Sequence, residues 1–233
     1  MGKTIAIIGG GGKTTSLLAI SRYLQKDPVL MTTTTHILPV YPPTVRDYLS
    51  DPTKAQLLHS LSAPGIVCAG REEALPDRVR LCPLPDPLLD LGRDTAVWTV
   101  CEADGAARLP LKLHKSTEPV IPADSDLSLL VIGLSALGKP VSETVHRYAL
   151  NPKWAAAPEA PVSWQEIEYC IRENIRVTGT EKEKLRILLN QKDSLSDPSQ
   201  AETLARKLTQ EGYQAMAGSM RSDPEPILNW LFP

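Results

Sequence analysis

Four glycines, Gly9 to Gly12, followed by Lys13, Thr14 and Thr15, are the residues of this 233-residue chain whose types and order most directly prescribe chemistry. They lie in TIAIIGGGGKTTSLLAI, residues 4–20, between a short apolar run and an apolar pattern at helical spacing. Strand, glycine turn, Lys-Thr and helix together form a phosphate-holding arrangement. Glycines let backbone N–H groups turn inward around phosphate oxygens, and the helix N-terminus adds partial positive charge. Lys13 reaches the terminal phosphates, and the Thr14 hydroxyl is placed to bind Mg²⁺. The spacing departs from G-x-x-x-x-G-K-[ST], because Ile7 takes the first glycine's place. The usable pattern is Gly9-x-x-Gly12-Lys13-Thr14, a variant loop expected to be an exposed turn. ATP or GTP with Mg²⁺ is the ligand this implies.

Two further sites have the chemistry to complete such a loop. After the apolar run TAVWTVC comes EADGA, with Glu102 and Asp104 one residue apart. A carboxylate at the C-terminal end of a buried parallel strand can hold Mg²⁺ directly or through water, and the second acid can orient a water or substrate. Downstream, LRILLNQKD places Asn190 and Asp193 just past another strand. The spacing resembles N-K-x-D, in which the carboxylate accepts two guanine N–H bonds, but Gln191 stands where that motif has its stacking lysine.

Other polar groups are candidates for a switch or a second substrate. MTTTTHILP supplies Thr34, Thr35 and His36 after the second strand, where hydroxyls can meet Mg²⁺ or a terminal phosphate. The Pro-interrupted stretch after the carboxylates carries Arg108, Lys112, Lys115 and Glu118, and His146 and Arg147 follow later. Mixed cations on loops at strand ends suit an anionic second substrate or partner. A solvated surface explains them equally well.

These residues need a scaffold, and the apolar runs describe one. Residues 4–8, 28–32, 95–101, 127–133, 185–190 and 213–217 read as short, continuously apolar strands, the kind found in a parallel sheet covered on both faces. Helical patterns fall at about 14–26, 53–61, 142–150, 163–174, 199–212 and 225–231. Ser163 with Glu166 predicts a capping box, and Asp197-Pro198 a helix start. The alternation predicts an α/β fold with a doubly wound, mostly parallel sheet of the P-loop NTPase type. Nine of the 21 prolines lie between Pro39 and Pro87, so an irregular insertion or sheet edge is expected at about 39–92 within a single domain.

Composition sets the bounds. With 25 basic and 27 acidic residues the net charge is −2, which offers no basic field for nucleic acid. The chain has no membrane-length apolar run and no signal-peptide pattern, so a cytoplasmic protein is expected. Cys68, Cys82, Cys101 and Cys170 form no C-x-x-C pair and read as reduced core residues; only Cys101, beside Glu102, invites a thiol role.

The loop resembles those of nucleotide-dependent maturation and partitioning proteins and of Mur-type ligases, and EADG is similar to motifs in both metalloenzyme-maturing GTPases and Mur ligases. IGGGGKTT, TTTTHI, EADGAARLPLK, EPVIP, GLSALGKPVSETVHR and LLNQKD, taken together, resemble the YqeC family over most of the chain. The resemblance implies an accessory role for selenium-dependent molybdenum hydroxylases or in selenium-cofactor biosynthesis. On that reading the chain hydrolyses a nucleoside triphosphate, and a molybdenum hydroxylase or its cofactor-maturation proteins are its partners. An ATP-dependent ligase or kinase, and a non-hydrolysing pterin-nucleotide carrier, are the alternatives.

Overall fold

The computed structural model describes residues 2–233. In chain order the elements are β1 (Lys3–Gly9), α1 (Lys13–Leu24), β2 (Pro28–Thr33), β3 (Asp47–Ser50), α2 (Lys54–Leu61), β4 (Gly65–Leu75), β5 (Arg78–Cys82), α3 (Asp86–Thr95) and β6 (Trp98–Glu102). There follow β7 (Leu111–Lys112), β8 (Leu127–Gly133), α4 (Val141–Thr144), β9 (Val145–His146), α5 (Pro152–Ala156), α6 (Trp164–Thr178), β10 (Leu185–Asn190), α7 (Ser199–Gln210), β11 (Gln214–Ala217) and α8 (Glu225–Leu231). The fold is α/β with a mostly parallel sheet, compatible with a doubly wound arrangement.

Two compact units divide the chain. The first runs up to Ile7 and takes in Leu17–Gly105 and Val120–Leu127; the second comprises Ile8–Ser16, Ala106–Pro119 and Ser128–Pro233. In the first, β1 pairs with β6, β6 with β2, β2 with β4 and β4 with β3, all parallel, while β5 returns antiparallel to β4. Leu30, Leu57, Leu61, Val67, Leu84 and Ala96 form a core cluster under these strands. In the second, β8 and β11 flank β10 in parallel, and the short β7 and β9 pair separately. The continuous burial of Ser128–Gly133 and Ile187–Asn190 is the signature of strands covered on both faces.

Caps fix several helices where the sequence placed them. Ser163 and Glu166 form the expected capping box at the start of α6, and Asp197 accepts from the Ser199 N–H at the start of α7. The four cysteines are free and buried. Burial pushes the Cys101 thiol up to about 12, which removes the thiolate a reactive role needs.

Three expectations are corrected. Residues 142–150 do not form one helix: α4 ends at Thr144, Val145–His146 pair with Leu111–Lys112, and Arg147 takes a left-handed conformation (φ 62°) before a single 3₁₀ turn. Competition from β7 and from a carboxylate that engages Arg147, described below, outweighs the local helical pattern. The proline-rich stretch is also more regular than expected, since it holds β3, α2, β4 and β5. Pro52, Pro64, Pro76 and Pro83 stand between elements, where a missing N–H costs nothing. β6 begins at Trp98, not at residue 95, because α3 continues to Thr95. No helix among the described residues is long and apolar enough to cross a membrane.

Candidate functional site

The second unit holds the glycine loop, and its neighbours explain why glycine is needed there. Gly11 has φ 73°, and a Cβ on it would sit 2.3 Å from the Gly133 Cα. Gly12 has φ 126°, and its Cβ would lie 2.3 Å from the Asn190 Nδ2. Both the conformation and the space exclude a side chain.

The loop is not, however, a ring of inward N–H groups. Gly10 donates to the Val131 carbonyl (2.9 Å) and Gly11 to the Leu109 carbonyl (3.1 Å). The Gly10 and Gly11 amides are thus engaged within the protein, and the amides of a helix's first turn, here that of α1, have no intrahelical acceptor. Lys13 is only 5% exposed, against the expectation of an exposed turn. Its Nζ donates to the Gly9 carbonyl (2.8 Å), so the lysine spans the loop it belongs to. Thr14 is exposed in the first turn of α1, and Thr15 is half-buried beside it.

Asn190, at the end of β10, connects this loop to a second feature. Its Nδ2 donates to the Gly11 carbonyl (2.7 Å), and its Oδ1 accepts from the Met220 N–H (2.9 Å). One carboxamide thus joins the phosphate-type loop to the turn after β11. Asp193 is held by that same turn: Ser219 Oγ donates to Oδ1 (2.8 Å) and Ser222 Oγ to Oδ2 (2.6 Å). These hydroxyls, Ser222 first, keep the Asp193 carboxyl below the ordinary carboxylate range. Each oxygen retains a further lone pair. Gly12, Thr15, Asn190, Gln191 and Asp193 line a cavity of about 300 Å³, together with Ser219 and Arg221. It opens where the loops after β10 and β11 meet, at the C-terminal ends of parallel strands, the usual place for a ligand in such sheets.

Gln191 does not project as a stacking lysine would. It is left-handed (φ 65°), and its Oε1 accepts from the Ser135 hydroxyl (2.7 Å).

A second polar cluster in this unit involves Lys112, Glu118, His146 and Arg147. The Lys112 side chain is completely buried and donates to Glu118 Oε2 (2.6 Å). Arg147 binds the same carboxylate with both arms, at 2.6 and 2.8 Å. Arg147 first, and Lys112 with it, hold the Glu118 carboxyl down to about 2 from 4.5. His146 pairs in register with Lys112; burial, then Arg147 and Lys112, push its pKa below the usual value, with a smaller contribution from Lys13. From α6, the buried Asn174 donates to the Lys112 carbonyl (2.9 Å). The charges proposed from sequence for a second substrate are thus spent on one another here. Arg108 stands apart, exposed and left-handed (φ 64°).

The other candidates belong to the first unit. Glu102 closes β6 in register with Ile7, and both Glu102 and Asp104 are buried. Glu102 also anchors the threonine segment through its backbone: its carbonyl accepts from Thr33 Oγ1 (2.8 Å) and from the Thr34 N–H (3.1 Å). Thr34 Oγ1 donates to the Val120 carbonyl (2.7 Å), and the Thr35 N–H to Thr33 Oγ1 (3.0 Å). The His36 ring lies beside Gly105. Among the described residues no three His, Cys, Asp or Glu side chains gather as a metal site.

Sequence reasoning singled out Asn190 and Asp193 but not Ser219, Arg221 and Ser222, which the structure brings beside them. Their signal was available: GSMRSD directly follows the apolar run at 213–217, and loops past parallel strands carry ligand chemistry.

Comparison with known proteins matches residues 5–149 to the family described as YqeC protein. "Uncharacterized protein YqeC" of Escherichia coli (strain K12) is 36% identical over 152 residues, 62% of this chain. The matched stretch spans 57% of that relative's length.

Proposed function

The chain belongs to the YqeC protein family, and we propose that it binds a guanine nucleoside triphosphate, with the phosphates at the Gly12–Thr14 turn and the base in the cavity beside Asp193. The observation that carries this reading is the Asn190 carboxamide, which ties the glycine loop to the turn that orients Asp193. An ionised carboxylate is acceptor-only, and guanine offers it a ring N–H beside an amino group. Adenine offers a ring acceptor instead, which the carboxylate repels. Mg²⁺ keeps several of its waters and takes most of its other ligands from phosphate oxygens, so it needs few groups from the protein. Thr14, exposed in the first turn of α1, would hold the ion from this unit. When bound, Mg²⁺ neutralises phosphate charge during transfer to water. Lys13 orients the loop and meets the terminal phosphates. Hydrolysis then serves a maturation step for a selenium-dependent molybdenum hydroxylase, as the family resemblance suggests. The Asp193 edge also favours a second reading, a pterin-nucleotide carrier, because pterin presents the same ring N–H and amino pair.

Phosphate release from GTP and ATP, with and without Mg²⁺, tests the hydrolase, and a pterin nucleotide that binds without turnover would favour the carrier. Lys13→Met keeps the buried stem and deletes the charge. It should weaken GTP binding about 10- to 100-fold, the worth of a charge-assisted contact. Unchanged GTP affinity in the folded variant would overturn the assignment of the loop.

A further inference from the structure

The base site described above lacks the residue that covers a base's flat face. In N-K-x-D arrangements the residue after the asparagine does this, but Gln191 is turned back onto Ser135. The cavity nevertheless has a cation in its lining. Arg221 lines it, and among the lining residues it is the one cation.

The backbone holds Arg221 in place from both sides. Met220, before it, is buried and donates its N–H to Asn190. Ser222, after it, donates its hydroxyl to Asp193. The turn closes with the Asp223 N–H on the Ser219 carbonyl (2.8 Å). Arg221 therefore stands between two residues that each grip a base-site side chain, while its own side chain is exposed at the rim. Among the described residues its guanidinium makes no hydrogen bond or ion pair, whereas Arg147 and Arg172 are engaged by carboxylates.

We propose that Arg221 supplies the missing stacking surface: its guanidinium plane lies on the face of the base whose edge Asp193 reads. A planar, weakly hydrated cation stacks on a purine through dispersion and cation–π attraction, which a carboxamide turned away cannot replace. Each such base contact is commonly worth a factor of ten or more. The inference rests on the reading that this cavity takes the base.

The test measures guanosine, GDP and GTP affinities of the full chain by displacement of a fluorescent GDP analogue, for the wild type, Arg221→Ala and Arg221→Trp. Stacking predicts that Arg221→Ala weakens guanosine and GDP by the same factor, about tenfold, with an unchanged melting temperature. Arg221→Trp should restore affinity, and its indole emission should be quenched on binding. A loss that is absent for guanosine and grows with each phosphate would assign Arg221 to phosphate and overturn the proposal. Wild-type affinities in Arg221→Ala would overturn it also, yet leave the nucleotide site intact. If the wild type binds no guanine compound, the reading of the cavity fails and takes the stacking role with it.

Discussion

The second unit contains two charge clusters that use the same kinds of bonds to opposite ends. Lys112, Glu118 and Arg147 form a closed set, in which one carboxylate accepts from two cations and a fully buried lysine has its ammonium matched. Asn190, Asp193 and Arg221 form an open one, in which the carboxylate is oriented by the Ser219 and Ser222 hydroxyls and an exposed guanidinium lines the same cavity. Closed networks fix the backbone: here β7, β9 and the left-handed Arg147 are locked to one another. Open networks keep lone pairs and charge for a ligand. Exposure and residual hydrogen-bonding capacity, more than charge itself, separate the two clusters.

The largest expected effect comes from breaking the closed set. Glu118→Gln removes the carboxylate charge that Lys112 and Arg147 share, and loss of one partner from a buried pair costs about 3 kcal/mol. For a chain of this size that lowers the melting temperature by roughly 6–12 °C. GDP affinity should stay at the wild-type value. A thermally silent variant with weakened ligand binding would move this cluster from scaffold to site.

A pH series sharpens the contrast. Glu118 is held near 2 in the folded chain against 4.5 ordinarily, so its contribution is complete above about pH 4.5 and is lost as pH falls toward 2. His146 acts in the same direction from a higher pH: burial and the adjacent cations keep it neutral, so the unfolded chain takes up a proton first below about 6.5. Urea midpoints of wild type and Glu118→Gln should therefore converge from pH 5 to pH 2.5. A constant gap across that range would contradict a role for the carboxylate's charge.

What could be read from the chain followed from whether its cause was local. The glycine turn into α1, the β8 and β10 runs and the Ser163 capping box are written in adjacent residues, and the fold keeps them. Asn190 and Asp193 were legible as a spaced pair. Their partners Ser219 and Ser222 lie 26 or more residues away and meet them only because β11 pairs with β10. The helical pattern at 142–150 was misleading for the same reason: the residues that break it, Leu111–Lys112 and Glu118, are distant in sequence. The burial of Lys13 was hidden too, because a lysine after glycines gives no sign of the carbonyl it will reach back to.

If Asp193 reads the edge of a guanine base, as proposed, its replacement should exchange one base specificity for another. Xanthine replaces guanine's amino donor with a carbonyl acceptor, which the amide N–H of an asparagine can satisfy. In Asp193→Asn, GDP should bind about 10- to 100-fold more weakly and XDP more tightly than in the wild type. Misfolding cannot produce a gain for one base with a loss for the other. Equal weakening of both nucleotides, or no change in either, would contradict the account.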